Sequence, residues 1–177
     1  MSRYFRSSRK AFTLIELLVV ISIIGVLSTL AVISTVRARA LAQHNKALGD
    51  LKQIRTAITL LESDTGKWPN GCRPNQVANP EVLITGVQAG LLASPVVGDQ
   101  GNGCFWSAKD VQNWTGPYLN IAQDPWSHDY WFDPDYVPYD NCATKTVQPQ
   151  TVAVLSFGPN GGALNGYDCD DIFLPIR

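Results

Sequence analysis

Three carboxylates near the C-terminus are the residues best suited to binding a metal ion. Asp168, Asp170 and Asp171 lie within four residues of one another, and a glycine-rich turn precedes them. We expect that turn to bring Ser156 and Asn160 close to the acids. Hard oxygen ligands of this kind suit Ca²⁺, with backbone carbonyl groups completing the coordination. The pattern therefore predicts a calcium site, and the alternative is a solvated acidic turn.

A single carboxylate, Glu16, stands directly before the longest apolar stretch of the chain. Residues Leu17 to Val36 carry no charge. As a helix they would extend roughly 30 Å, which is the thickness of a bilayer core. An unpaired carboxylate at the start of a membrane helix costs about 2 to 3 kcal/mol. Glu16 is therefore expected to have an ionic partner, unless it is an acid tolerated at the membrane boundary.

The residues before this stretch are basic, and no further positive charge occurs until Arg37. They are Arg3, Arg6, Arg9 and Lys10. Positive charge favours the cytoplasmic side of a membrane helix, so the chain after about residue 40 is predicted to be translocated. An unprocessed signal anchor also fits this pattern. A cleaved secretory signal fits it less well, because the apolar periodicity continues past the weak cleavage candidates Ser34 and Ala38.

The residues at the start of the apolar stretch form a motif. The run Lys10-Ala11-Phe12-Thr13-Leu14-Ile15-Glu16 resembles the processing site of the type IV prepilin family, which includes pilins and the pseudopilins of type II secretion. The resemblance implies that a membrane peptidase cuts between Ala11 and Phe12 and methylates the new amine of Phe12. It also implies that Glu16 of an incoming subunit neutralises the Phe12 amine of its neighbour. Ala11 stands where the family prefers Gly.

The helix is predicted to continue past the apolar stretch and to end near Asp64. Apolar residues recur at intervals of three and four through residues 37–64, with charged residues between them, which indicates an amphipathic helix. Gly66 is the expected stop, and Pro69 follows it. The chain thus divides into a leader (1–11), a membrane-spanning or filament-core helix (12–36), an amphipathic second half of the helix (37–64) and a globular head (65–177).

The head is predicted to complete an α+β, pilin-like fold. All 11 prolines lie after residue 65, and β-prone stretches occur at Tyr130–Phe132 and Thr151–Phe157. Val82–Leu92 is expected to form a short helix or turn. We therefore expect a small antiparallel sheet with long loops, packed on the second half of the long helix.

Several short motifs of the head follow the order found in the major pseudopilin of type II secretion. They are Thr65–Pro69, Gly116–Leu119, Asp124–Trp126, Tyr130–Phe132, Ser156–Gly161 and Asp168–Ile172. This resemblance implies that the C-terminal loop holds calcium. Asn160 stands where many of these proteins have Asp, which is expected to weaken binding. The chain departs from the pattern at Ser127 and Asp129 and in two insertions, around Cys72–Cys104 and Tyr136–Gln150.

Four cysteines lie in the part of the chain that is predicted to be translocated. They are Cys72, Cys104, Cys142 and Cys169. An even number in an oxidising compartment suggests two disulfides, with three possible connectivities. We favour Cys72 with Cys104 and Cys142 with Cys169, because each bond would tie down one insertion. The other pairings and free buried thiols remain open, whereas zinc is less expected because no pair has close spacing.

Two classes of function fit these features. The first is a structural subunit of a type II secretion pseudopilus or a type IV pilus-like filament. It would polymerise through its N-terminal helices and would depend on a prepilin peptidase, an inner-membrane assembly platform and minor pseudopilins. The second is a membrane-anchored extracellular module that binds carbohydrate or protein, and a pilin for adhesion, motility or DNA uptake is a further alternative. The helix would lie in the inner membrane, with the head in the periplasm or outside the cell.

Catalysis and nucleic-acid binding are not expected. The sequence contains no nucleophile, phosphate-loop or metalloprotease motif. Of the two histidines, His44 lies on the amphipathic helix and His128 alone lies in the head. Removal of residues 1–11 takes away four positive charges and changes the formal charge from −1 to −5, which argues against a nucleic-acid partner. The five tryptophans are expected to be mainly core residues instead of a sugar-stacking surface.

Overall fold

The computed structural model describes residues 12–74, 76, 79–121, 123–162 and 165–176. These residues belong to two compact units, an N-terminal unit that ends at Leu41 and a head unit that comprises Ala42–Arg177. The architecture is the predicted α+β arrangement, a long N-terminal helix followed by a small antiparallel sheet. The predicted leader, with Ala11 of the cleavage site, lies outside the described residues.

Helix α1, Leu14–Thr65, begins in the N-terminal unit and ends in the head unit. Its end confirms the prediction from the sequence. Gly66 has a φ of 70°, and its N–H group donates to the carbonyl oxygen of Glu62 at 2.8 Å. Glycine adopts this left-handed conformation without strain, so Gly66 ends the helix.

The second half of α1 forms one wall of the core of the head unit. Its buried apolar residues recur every three or four positions, as on one face of a helix. They are Ala47, Leu51, Ile54, Ala57, Ile58 and Leu61. Buried aromatic side chains from the rest of the head, including Trp68, Trp106 and Phe132, belong to the same cluster. The head is therefore built directly on the amphipathic face that the sequence predicts.

Four antiparallel strands make the main sheet of the head. They are β1 (Val82–Leu83), β4 (Trp131–Tyr136), β5 (Thr151–Ser156) and β6 (Ile172–Pro175), in the order β1-β4-β5-β6. Between β1 and β4 the chain forms a hairpin of β2 (Gly98–Gly101) and β3 (Cys104–Trp106), followed by the short helix α2 (Ala108–Asn113). The β5–β6 connection, which carries the C-terminal acids, joins the inner strand β5 to the edge strand β6.

The structure corrects two of the predicted elements. Val82–Leu92 is not wholly helix or turn, because Val82 and Leu83 pair with β4, and only Val87–Ala89 forms a 3₁₀ helix. Strand β4 also extends beyond the predicted Phe132 and includes Pro134. Its pairing register with β5 shifts between Asp133 and Tyr136. Proline has no N–H group to donate, so a bulge is a site where a strand tolerates it.

Both disulfides have the connectivity favoured from the sequence. Cys72 is bonded to Cys104, and Cys142 is bonded to Cys169. The first bond ties the segment after α1 to β3. The second ties the β4–β5 connection to the β5–β6 connection. Each insertion is thus attached covalently to a neighbouring part of the head.

We expect Ile58→Ala to lower the free energy of unfolding by about 2 to 5 kcal/mol, because truncation of a fully buried side chain leaves a cavity. Leu60→Ala is the matched control. Leu60 lies on the same helix but is 49% exposed, so its replacement should change stability by less than about 1 kcal/mol. Urea unfolding of the full chain in detergent, followed by tryptophan fluorescence, measures both. Equal losses would contradict the assignment of this helix face to the core.

Candidate functional site

The first turn of α1 is held by a reciprocal pair of contacts between Thr13 and Glu16. The backbone N–H and the hydroxyl group of Thr13 donate to Oε2 of Glu16 at 2.9 and 2.7 Å. The N–H group of Glu16 donates in return to the Thr13 hydroxyl oxygen at 3.3 Å. This is a capping box, which satisfies amide groups that the start of a helix leaves without a partner. Glu16 therefore has a local structural role that the sequence analysis missed, although the Thr-x-x-Glu spacing signals it.

The apolar side chains of the N-terminal unit are exposed. Phe12 is 84% exposed, and the large apolar residues after it in the unit whose burial the structure describes are also on the surface. This part of α1 is long and apolar enough to cross a membrane, and none of the most apolar stretch is buried within the chain. A surface of this kind requires a cover of lipid or of other apolar helices.

The C-terminal acids lie in the connection between β5 and β6, residues 157–171, here called the acid loop. The side-chain amide of Asn160 donates to Asp168 Oδ2 at 2.6 Å and to Asp170 Oδ1 at 2.7 Å. The backbone N–H group of Asn160 also donates to Asp170 Oδ2 at 3.2 Å. The fold thus brings three of the five predicted calcium ligands together. Two carboxylates held this close favour a cation between them.

The other two predicted ligands have different contacts. The Ser156 hydroxyl group donates to Asp124 Oδ2 and accepts from the backbone N–H group of Gly158. Oδ2 of Asp171 accepts from the Tyr136 hydroxyl group and from the N–H group of Asp168. Ser156 thus shapes the start of the acid loop, and Asp171 braces its end.

Asp171 also carries an unsatisfied buried atom. The residue is only 6% exposed, and no hydrogen-bond donor among the described residues reaches its Oδ1. A buried carboxylate oxygen without a donor is unfavourable unless it is protonated or close to a cation. Burial raises the pKa of Asp171 to about 7, and the nearby Asp168 carboxylate adds to the rise.

His128, the one histidine of the head, lies beside the acid loop. Its Nδ1 is 2.9 Å from the carbonyl oxygen of Gly158, and its backbone N–H group donates to Asp124. Asp124 also accepts from Ser156 and from the backbone of Trp126. His128 therefore belongs to the set of contacts that fixes the turn next to the acid loop.

A second group of carboxylates was not singled out in the sequence. Oxygen atoms of Glu81, Asp133 and Asp135 all lie within 4.8 Å of one another, and they are the one such group of three found among the described residues. The Tyr167 hydroxyl group donates to Asp133 Oδ2 at 2.6 Å, so this group adjoins the acid loop. Alternate residues of a strand face the same side, so the spacing of Asp133 and Asp135 was a usable signal. Nothing in the local sequence indicates that Glu81 joins them.

Comparison with known proteins gives two similarities, one at the N-terminus and one over most of the chain's length. Residues 6–32 match the family described as the prokaryotic N-terminal methylation motif. The N-terminus of the chain is similar to that family. The chain is also 27% identical over 125 residues to the type II secretion system core protein G of Klebsiella michiganensis. The matched region covers 71% of this chain and 73% of that protein. No solved structure matches the chain.

These similarities agree with the geometry of the chain. The motif spans the capped helix start and the exposed apolar stretch, and the similarity to core protein G extends over most of the chain's length. Both resemblances stated from the sequence are thereby confirmed.

The stability of the head should fall as pH rises from about 4 to about 7 in the absence of divalent cations. The pKa of Asp171 is raised from 3.8 to about 7 on folding, so the folded chain binds more protons than the unfolded chain within that window. Asp171→Asn removes the charge and can keep an acceptor at the position of Oδ2. We expect this variant to lose part of the slope, and the exposed Asp140→Asn to retain it.

Urea unfolding of the full chain in detergent with EDTA, at several pH values between 4 and 7.5, measures these slopes. Identical slopes for the native chain and Asp171→Asn would contradict the buried, unpaired state of this carboxylate.

Proposed function

We propose that this chain is a structural subunit of a type II secretion pseudopilus or a related pilus-like filament. The observation that carries the proposal is the Phe12–Glu16 motif at the start of an apolar helix whose side chains are exposed. The similarity to core protein G supports the type II secretion system in particular. The subunit polymerises by packing the apolar stretches of neighbouring copies against one another.

Processing generates the N-terminus that polymerises. A prepilin peptidase removes residues 1–11 by cutting between Ala11 and Phe12 and then methylates the Phe12 amine. The new amine is cationic near neutral pH. Glu16 of an adjacent copy is its partner, since the capping box engages one carboxylate oxygen and a carboxylate can accept several hydrogen bonds. Both groups lie in an apolar environment after assembly, where an unpaired charge is costly.

The location follows from the same features. The apolar stretch anchors the chain in the inner membrane before assembly, and the head lies on the periplasmic side. An inner-membrane assembly platform and minor pseudopilins are the expected partners, together with further copies of the chain. Two disulfides in the head fit an oxidising compartment.

We also propose a structural role without catalysis for the head. His128 is engaged with the backbone of the acid loop. Trp68 and Trp106 are buried, and the other three tryptophans are half-buried. A surface that stacks sugars needs exposed ring faces, so the carbohydrate-binding alternative gains no support from these residues.

Calcium binding at the acid loop is the second part of the proposal. The carboxylates of Asp168 and Asp170 converge on the side chain of Asn160, and hard oxygen ligands of this kind suit Ca²⁺. Asp168 and Asp170 would hold the ion, and the Asn160 side chain would turn its amide oxygen towards it in place of the NH2 group that now faces the acids. Asp171 would orient the Asp168 backbone, and Ser156 would fix the start of the loop. Bound calcium would neutralise the two adjacent carboxylates and hold the β5–β6 connection in one conformation.

Glu16→Leu should abolish filament assembly, because it leaves the Phe12 amine of the neighbouring copy without a partner. Ser22→Leu is the matched control. It makes the same change from polar to leucine in the same exposed stretch, and the Ser22 hydroxyl group bonds only the Leu18 carbonyl of its own helix among the described contacts. Electron microscopy and sedimentation of sheared filaments measure assembly. Normal filaments from Glu16→Leu would contradict the proposed pairing.

Calcium should raise the melting temperature of the native chain by on the order of 5 to 10 °C at about 100 times its Kd. The Asp168→Asn/Asp170→Asn variant should lose this response. The control, Glu81→Gln/Asp135→Asn, removes two charges from the second carboxylate group and should keep it. Thermal melting in detergent, with calcium or EDTA, measures the response. A loss in the control alone would place the ion at the second group and contradict the assignment to the acid loop.

A further inference from the structure

The acid loop is attached covalently to another part of the head at the point where its acids lie. Cys169, the residue between Asp168 and Asp170, forms a disulfide with Cys142. Cys142 belongs to the connection between β4 and β5, residues 137–150, here called the strap. The disulfide thus fixes the backbone between the two carboxylates that meet at Asn160.

The strap has contacts of its own on both sides of the disulfide. The N–H group of Asn141 donates to the carbonyl oxygen of Tyr167 at 2.8 Å, directly before Asp168. The ring of Tyr139 packs against that of Phe173 on β6, with 5.8 Å between the ring centroids. The strap is therefore held to the sheet and is not a loose tether for the acid loop.

Lys145 adds a polar contact at the same place. Its Nζ donates to the carbonyl oxygen of Cys169 at 2.9 Å and lies 4.2 Å from the centre of the Tyr139 ring. The residue that separates the two acids is thus fixed through both its side chain and its carbonyl group.

Without a cation, the carboxylates of Asp168 and Asp170 repel each other. A loop held in its binding conformation loses less conformational entropy when the ion binds. The disulfide supplies this constraint, because separation of the carboxylates requires the backbone at Cys169 to move.

We propose that the Cys142–Cys169 disulfide and cation binding at the acid loop stabilise each other. The disulfide holds Asp168 and Asp170 in the arrangement that binds calcium, and bound calcium makes the disulfide harder to reduce. This inference rests on the calcium site proposed above and is independent of filament assembly. Cys142 and Cys169 are positioning residues, since they act on the ion through the acids beside them.

The other disulfide gives a matched control. Cys72 and Cys104 join the segment after α1 to β3, and the sequence separation of this pair, 32 residues, is close to the 27 residues of Cys142–Cys169. The entropy lost by the unfolded chain is therefore similar for the two bonds. A difference in calcium binding between the two variants thus reports on position and not on general stability.

The first experiment compares calcium affinity in full-length chains in detergent by isothermal titration calorimetry. We expect Cys142→Ser/Cys169→Ser to bind calcium about tenfold more weakly than the native chain, because the loop must then be ordered on binding. Cys72→Ser/Cys104→Ser should bind within about twofold of the native chain. Equal affinities for native and Cys142→Ser/Cys169→Ser chains would overturn the inference.

The second experiment uses the native chain and remains decisive if a variant fails to fold. Coupling between two equilibria is reciprocal, so calcium must oppose reduction of the disulfide by the same factor by which the disulfide favours calcium. Dithiothreitol donates two electrons and two protons to each disulfide and becomes a cyclic disulfide itself. Alkylation and mass spectrometry at equilibrium give the reduced fraction of each cysteine pair.

Saturating calcium should lower the equilibrium constant for reduction of Cys142–Cys169 about tenfold and leave that of Cys72–Cys104 unchanged. No shift, or an equal shift of both pairs, would overturn the inference. A native chain that binds no calcium would overturn it together with the calcium site. Calcium binding with equal affinity in the native chain and in Cys142→Ser/Cys169→Ser would overturn the inference alone.

Discussion

The exposed apolar surface of the N-terminal unit is the constraint on which the rest of the account depends. From Phe12 onward its large apolar side chains have no cover within the described chain. Lipid can cover this surface before assembly, and the same surface of other copies can cover it afterwards. Lipid tails are as apolar as these side chains, so the hydrophobic effect does not drive the helices together within the membrane. Packing and polar pairing must therefore favour one arrangement of neighbouring helices. Glu16 is the one acidic group in that stretch able to specify it.

Helix α1 serves two environments because its sequence changes character along its length. From Leu17 to Val36 none of its side chains is charged, whereas in the head unit only one face is apolar and buried. That buried face carries the sheet, and the sheet carries the acid loop between β5 and β6. Two disulfides and the contacts of Asp124 fix the long connections that a small sheet cannot order by itself. The proposed calcium ligands are therefore placed by elements that are distant from them in sequence.

Short sequence motifs predicted the features that interactions between neighbouring residues determine. The end of α1 at Gly66, strand β5 and the motif at Phe12 each depend on a few adjacent residues. Two strands that form by distant pairing were not predicted. Strand β1 has only two residues and exists because it pairs with β4, and the four residues of β6 pair with β5. In the acid loop, the spacing of the acids indicated an ion site but did not show that Ser156 would bond Asp124 instead.

The N-terminus of the mature protein tests the central claim most directly. The protein is to be recovered from its native membrane or from shed filaments and analysed by intact mass and N-terminal sequencing. The account predicts a chain that begins at Phe12 and carries a methyl group on its amine. A chain that still begins at Met1, or that has been cut after the apolar stretch, would contradict the account.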